Sequence, residues 1–274
     1  MPDTVASLPA SLTLVGAGKM GGAMLAGWLA GGLDPRRTTV VEPAPSPELA
    51  ALCAARGLAL NPAEPQVPEA LVLAVKPQGL AAAAPALAPL VGPDTLVVSI
   101  LAGKTIADLK ARLPGARAVV RAMPNLPASI GRGATGAAAS PEVTPGQREC
   151  ADALLRAAGL VEWLDDEGLI DAVTAVSGSG PAYVFLLAEA LAEAGIAAGL
   201  PPGIAGRLAR ATVSGSGALL DAEATEAAEL RRNVTSPGGT TAAALEVLMR
   251  ADGMPALLRE AVAAAKSRAG ELAG

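Results

Sequence analysis

The 274-residue sequence predicts an α/β protein in two parts, a doubly wound, largely parallel sheet followed by an all-helical C-terminal domain. Short β-rich runs alternate with Ala/Leu-rich helical runs up to about Leu164, the pattern of a parallel sheet covered on both faces. A glycine-rich turn joins the first apolar run to the first helical one. From Leu169 onward every periodic segment reads as helix. The stretch Asp165-Asp166-Glu167-Gly168 marks the change, so domains are expected at 1–166 and 167–274.

Composition narrows the function classes. With 51% hydrophobic and 17% charged residues the chain is built to fold. The net charge is −5 and the Lys and Arg residues are scattered, so the basic stripe that nucleic acid requires is missing. Cys53 and Cys150 form no C-x-x-C pair and read as buried small hydrophobes. The count of zero histidines removes Ser-His-Asp triads and histidine-ligated zinc, and no metal site is expected. Met1 to Ser11 has no positive n-region, and Glu189 and Glu193 interrupt the apolar run Pro181 to Leu200. A cytoplasmic protein without a membrane span is the expectation.

Strands are expected at Leu12–Val15, Thr38–Glu42, Leu71–Val75, Leu96–Ile100, Ala118–Met123, Ala134–Ala139 and Val161–Leu164. The helices between them are placed at Met20–Ala30, Pro47–Arg56, Leu80–Val91, Ile106–Arg112 and Pro145–Ala158. In such a sheet the ligand crevice lies at the carboxyl ends of the strands. There the first strand runs into Gly16-Ala17-Gly18-Lys19-Met20-Gly21, a G-x-G-x-x-G turn between strand and helix. Gly16 permits the turn, Gly18 lets a pyrophosphate approach and Gly21 lets the helix pack closely. The helix start then offers unpaired N–H groups to the anion. The first domain is therefore Rossmann-like.

The other strand ends carry further candidates. Glu42 stands twenty-one positions beyond Gly21, where an acid hydrogen-bonds an adenosine ribose hydroxyl and repels a 2′-phosphate, or is simply a solvated acid before Pro43. Ala74-Val75-Lys76-Pro77 follows the third strand, with Pro77 enforcing a turn and Lys76 near the cofactor or merely solvated. Ala102 follows the fourth strand. Asn125, between Pro124 and Pro127, is either a turn former or a polar group aimed into the crevice.

In the second part, a helix Leu169–Val176 leads into Ser177-Gly-Ser-Gly-Pro181, and Pro181 opens a helix with the stripe Val184, Leu187, Leu191. The next helix, Gly203–Leu220, is small or apolar nearly all round, which a domain of about this size has little to bury. An oligomer that covers it is the expectation. A charged segment, Thr225–Arg232, leads to Ser236-Pro237-Gly238-Gly239-Thr240-Thr241, followed by helices Ala242–Arg250 and Pro255–Leu272. Backbone N–H groups of that loop form a nest suited to a substrate carboxylate. Alternatively Pro-Gly-Gly only breaks one helix and Thr240 caps the next.

Taken together, Gly-Ala-Gly-Lys-Met from Gly16, Ala74-Val-Lys-Pro77, Arg121-Ala-Met-Pro-Asn125, Ser177-Gly-Ser-Gly-Pro-Ala-Tyr183 and Ser236-Pro-Gly-Gly-Thr-Thr241 closely resemble Δ1-pyrroline-5-carboxylate reductase along essentially the whole chain. The resemblance implies NAD(P)H-dependent reduction of a cyclic imine, L-1-pyrroline-5-carboxylate, to L-proline, the last step of proline biosynthesis. It implies that the loop matching Ser236, Pro237, Gly238, Gly239 and Thr240 holds the carboxylate, with Ser177 in the substrate-side motif, and that Thr241 hydrogen-bonds the ring nitrogen. It makes the helical part a dimerisation domain, in homodimers or rings of dimers. An imine protonated by solvent accepts hydride readily, which suits a chain without histidine.

The sequence departs from the family pattern at Lys19, usually asparagine, and at Leu126, commonly threonine. An acid some relatives carry upstream of the loop aligns with Ala224. Glu42 opposes a 2′-phosphate that Arg36, Arg37 or Ser46 could still accommodate, so both NADP(H) and NAD(H) are expected, with a slight lean to NADPH. The competing readings are a related imine or hydroxyacid reductase of the same layout, or a non-enzymatic dinucleotide-binding regulator. Residues 182–200 lack the lysine of the former, and the latter has no need of the Ser236–Thr241 loop.

Overall fold

The computed structural model describes residues 8–273. Most of the N-terminal stretch read for a leader, Met1–Ser7, lies outside the described residues, as does Gly274 at the end of the expected second domain. The contacts divide the chain into two compact units, one running to Gly178 and including the last helix from Lys266 onward, the other Ser179–Ala265.

The first unit is built on one eight-stranded sheet. Its strands are β1 (Leu12–Val15), β2 (Thr38–Val41), β3 (Ala59–Leu60), β4 (Ala70–Leu73), β5 (Leu96–Ser99), β6 (Ala118–Met123), β7 (Gly133–Ala139) and β8 (Gly159–Trp163). They lie in the order β3-β2-β1-β4-β5-β6-β7-β8. Neighbours from β3 to β6 are parallel, β7 runs antiparallel to β6, and β8 is parallel to β7. The reversal follows from the connection, since only a 3₁₀ turn, Leu126–Ile130, joins β6 to β7 and a parallel partner needs a full crossover.

The crossovers are α1 (Lys19–Ala30), α2 (Pro47–Arg56), α3 (Leu80–Leu87), α4 (Ile106–Arg112) and α5 (Pro145–Arg156). The bounds of α2 and α4 are those the sequence predicts, because both starts carry a side-chain cap, Ser46 on the Leu49 amide and Thr105 in a reciprocal box with Asp108. The helix expected over Leu80–Val91 instead stops at Leu87 and tightens to 3₁₀ over Ala88–Leu90. Pro85 and Pro89 each remove an amide donor there.

Period-two alternation divides the buried strand residues between the two faces of the sheet. Leu12, Leu14, Val72, Val98 and Val120 pack with Trp28 of α1 and Leu154 and Leu155 of α5. Val15, Leu71, Leu73, Val97 and Val119 pack with Leu80, Leu87 and Leu109 of α3 and α4. Trp28 buries its ring completely and donates its indole N–H to the Leu154 carbonyl at 2.7 Å.

After β8 come α6 (Ile170–Val173) and a π-helical turn, Thr174–Gly178, where a plain helix over Leu169–Val176 was expected. The second unit holds α7 (Gly180–Ala197), α8 (Pro202–Ala222), α9 (Ala227–Asn233), α10 (Thr240–Leu248) and most of α11 (Met254–Ala273). Helices α7 and α8 form a hairpin in which a Cβ on Gly195 would stand 3.3 Å from the Ala205 Cβ. Yet α7 buries no residue, and α8 buries only Ala205 and Ala209. The stripe Val184, Leu187 and Leu191 is exposed, and Tyr183, Leu186, Val247 and Leu257 line an open apolar groove of about 480 Å³. The helical run Glu167–Ala197 contains a stretch that is, by length and composition alone, apolar enough to cross a membrane, and that stretch includes Ile170 and Ala175 and ends before Glu189.

Candidate active site

In the first unit the glycine turn leaves β1 at Gly16, whose amide donates to the Val41 carbonyl of β2 at 2.9 Å. Gly16 has φ +89°, and a Cβ there would meet the Ala74 carbonyl group at 2.7 Å. A Cβ on Gly21 would stand 2.1 Å from the Gly16 oxygen, so only glycine lets α1 come this close to the strand ends. At Gly18 a Cβ would meet nothing within 4 Å. The space over Gly18 is open, and Gly18 is the N-cap of α1 without any side-chain cap. The Lys19, Met20 and Gly21 amides therefore have no intrahelical acceptor, the donor set an anionic pyrophosphate requires. Residues 16–21 thus fit the phosphates of a dinucleotide.

Ala74, Val75, Lys76 and Pro77 follow β4 beside this turn, with Lys76 exposed as the N-cap of a 3₁₀ turn. Ala102 is exposed in the loop after β5. Glu42 lies directly beyond β2, and its carboxylate accepts the Ala17 amide at 2.9 Å and the Ala44 amide at 3.2 Å. Arg36 and Arg37 precede β2, lining a groove with Ser11 and Thr13 at the opposite end of the sheet. They are thus misplaced for a 2′-phosphate beyond β2, which corrects the sequence reading. Ser46 is at the correct end, with its hydroxyl accepting the Leu49 amide.

Asn125 and Ser177 meet although 52 residues separate them. The Asn125 amide donates to the Ser177 hydroxyl at 3.1 Å and accepts the Ala134 amide at 2.9 Å, while Ser177 donates to the Ala134 carbonyl at 3.0 Å. Of the two roles the sequence leaves open for Asn125, these bonds use the side chain to brace the start of β7. A second bridge was not anticipated. Arg121, 4% exposed, donates to Glu167 at 3.0 Å and lies 3.8 Å from Asp171, and Glu167 also accepts the first amide of α4, that of Ile106. The Arg121 position on β6 alternates with core residues, and a charge in that pattern is the signal that a buried partner exists.

The loop before α10 lies wholly within the second unit. The Gly239 amide donates to the Ser236 carbonyl at 3.0 Å, with Pro237 second and Gly238 third at φ +68°, the signature of a type II turn. Gly239 is the N-cap of α10, and no side chain caps the helix. Thr240 is the first helical residue and not the cap, which corrects the alternative reading of this loop. The amides of Thr240, Thr241 and Ala242 are left without intrahelical acceptors, as at the start of α1. Thr241 is partly buried and Ser236 exposed.

Comparison with known proteins agrees with this arrangement. Residues 167–272 match the family model described as pyrroline-5-carboxylate reductase dimerisation, and residues 11–103 that of NADP oxidoreductase, coenzyme F420-dependent. The chain is 42% identical over 264 residues to the pyrroline-5-carboxylate reductase of Pseudomonas aeruginosa, covering 96% of each. It superposes on the solved pyrroline-5-carboxylate reductase of Coxiella burnetii with TM-score 0.89 at 34% identity, covering 97% of this chain and 99% of that one. The Plasmodium falciparum pyrroline carboxylate reductase, solved with NADP bound, shares the fold with TM-score 0.77 at 24% identity, covering 98% of this chain and 100% of that one. With identity of this level along nearly its full length, the chain belongs to the pyrroline-5-carboxylate reductase family.

Proposed function

We propose that this protein reduces L-1-pyrroline-5-carboxylate to L-proline with NAD(P)H, the closing step of proline biosynthesis. Membership of the family over 96% of the chain carries this reading. The bound dinucleotide supplies the hydride that adds to the imine carbon. The chain's own contribution is placement. Gly16, Ala17, Gly18, Lys19, Met20 and Gly21 hold the pyrophosphate at the start of α1, with Glu42 at the adenosine ribose and Ala74, Val75, Lys76, Pro77, Ala102 and Asn125 along the remaining strand ends. Both NADPH and NADH serve.

On the substrate side, Ser236, Pro237, Gly238, Gly239 and Thr240 hold the carboxylate at the uncapped start of α10, and Ser177 is assigned to substrate binding. The Thr241 hydroxyl hydrogen-bonds the ring nitrogen without changing charge, and solvent provides the proton. The functional division lies at residues 166 and 167. The dimerisation domain makes the chain a homo-oligomer. We assign it as a dimer or a ring of dimers in which a second copy, and not a bilayer, covers α7 and α8, and place the enzyme in the cytoplasm.

The test is NAD(P)H oxidation with pyrroline-5-carboxylate beside a hydroxyacid panel run in reverse. Turnover confined to the imine supports the reading. Turnover only on a hydroxyacid selects the related reductase, and dinucleotide binding without any turnover selects the regulator.

A further inference from the structure

Asn61 is the single non-glycine with positive φ among the described residues, at +47°. Asparagine tolerates this left-handed region better than most residues, but an isolated instance still calls for a reason. The reason is visible in its bonds. Strand β3 pairs with β2 only through Ala59 and Leu60, and the Asn61 amide extends the ladder by donating to the Val40 carbonyl at 2.9 Å. The side chain then takes the place of a further strand residue. Its Oδ1 accepts the Glu42 amide and its Nδ2 donates to the Glu42 carbonyl, each at 2.8 Å. Both backbone groups of Glu42 are thereby held by one side chain.

That clamp fixes the direction of the Glu42 carboxylate, which reaches the Ala17 amide between Gly16 and Gly18. Among the described residues Glu42 makes no ion pair, and the arginines nearest in sequence, Arg36 and Arg37, lie at the other end of β2. The carboxylate thus meets a bound adenosine ribose as an uncompensated negative charge, and how strongly it opposes a 2′-phosphate depends on how firmly it is aimed.

We infer that Asn61 is a positioning residue that sets the discrimination between the two dinucleotides by fixing Glu42, an inference that rests on the dinucleotide reading of the first unit. The effect of Asn61 is assigned through Glu42, whose backbone it holds at both groups. The chemistry it governs is recognition of a ribose 2′-hydroxyl against a 2′-phosphate.

The test uses the full chain and two fragments that undergo no reaction, ADP-ribose and 2′-phospho-ADP-ribose, with dissociation constants measured by calorimetry. Asn61→Gly retains the left-handed backbone without strain and deletes only the side-chain bonds. Both fragments are measured on one preparation, so any loss of folded protein cancels in their ratio. The ratio of the two constants is expected to move toward the phosphorylated fragment by roughly three- to tenfold, on the order of 1 kcal/mol. Glu42→Ser moves it at least as far, and adding Asn61→Gly to Glu42→Ser moves it no further. The kcat/KM ratio for NADPH over NADH follows the same order. An unchanged ratio in Asn61→Gly, with Glu42→Ser still effective, or an equal further shift in the double variant, overturns the inference and leaves the dinucleotide reading standing. Failure of the unaltered protein to bind either fragment overturns both.

Discussion

In the first unit the strands β1, β4 and β5 are buried at every residue, and the helices on either side each contribute to one of two apolar layers. In the second unit, α7 is more apolar than α1, which buries four residues, yet it buries nothing, with Phe185 59% and Leu186 63% exposed. The same kinds of side chain serve two ends. Those of the first unit complete a core within one chain, and those of the second are left exposed on the surface that we propose a second copy covers, in the region 167–272 that matches the dimerisation family. A second contrast lies in the helix starts. Those of α2, α4 and α5 are closed by Ser46, Thr105 and Thr144, whereas those of α1 and α10 follow Gly18 and Gly239 and, like those of α3, α7, α8 and α9, carry no side-chain cap. The two ligands are assigned to the two open starts that follow a glycine-rich turn with a positive-φ glycine, at Gly16 and Gly238.

The first contrast is broken most severely by Trp28→Ala. Removing a fully buried ring and its bond to Leu154 is expected to cost about 3–5 kcal/mol in chemical denaturation. The loss should be independent of protein concentration, and a concentration-dependent one would mean that the first unit too leans on a partner.

Leu186→Glu tests the other side. A charge on this groove is expected to lower the mass seen by light scattering to that of smaller assemblies or the single chain, an effect of several kcal/mol if the site is desolvated. Val67→Glu, on an apolar residue of the first unit that is more than half exposed, should leave the mass unchanged. Equal behaviour of the two variants would remove the distinction.

The contrast between open and capped helix starts is sharpened by Thr241→Ala at the start of α10. Turnover should fall at least tenfold, about 1.4 kcal/mol, with dinucleotide affinity unchanged. Unaltered steady-state rates would take Thr241 out of the mechanism.

The effect that is smallest near neutral pH concerns the buried thiols. Burial, with a smaller contribution from Glu69, pushes Cys150 up to about 12, and burial also raises Cys53. The unfolded chain releases the Cys150 proton near 9.0 while the folded chain retains it, so stability should decline as pH rises from about 9 toward 12. At neutral pH neither thiol should react with a disulfide reagent until the first unit unfolds, and rapid labelling of the native protein would show that the core opens locally.

Much of this was legible in the sequence where local chemistry decides. Ser46 with Pro47 and Thr105 with Asp108 delimit their helices, and the glycines at 16, 18 and 21 announce a close approach. What escaped depends on partners distant in sequence or on runs too short to show a period. Strand β3 has two residues and no alternation to detect, so Asn61 had no strand end to belong to. The Arg121–Glu167 pair spans 46 residues and the Asn125–Ser177 bond 52, and neither is implied by its own neighbourhood. In the loop before α10 the residues were evident, but the helix was placed two residues late at Ala242, which left Thr240 outside it and open to a capping role. In α7 the spacing of Val184, Leu187 and Leu191 correctly reads as helix, while periodicity alone cannot say whether the covering surface lies in the same chain.

The central claim is that hydride passes from a reduced nicotinamide to the carbon of a cyclic C=N bond. It is tested most directly by supplying the purified full chain with pyrroline-5-carboxylate and NADPH deuterated at the transferring position, then analysing the product by chiral separation and mass spectrometry. L-proline carrying one deuterium at the former imine carbon is the predicted result. Oxidation of the nicotinamide without labelled proline, or label lost to solvent, would contradict the claim.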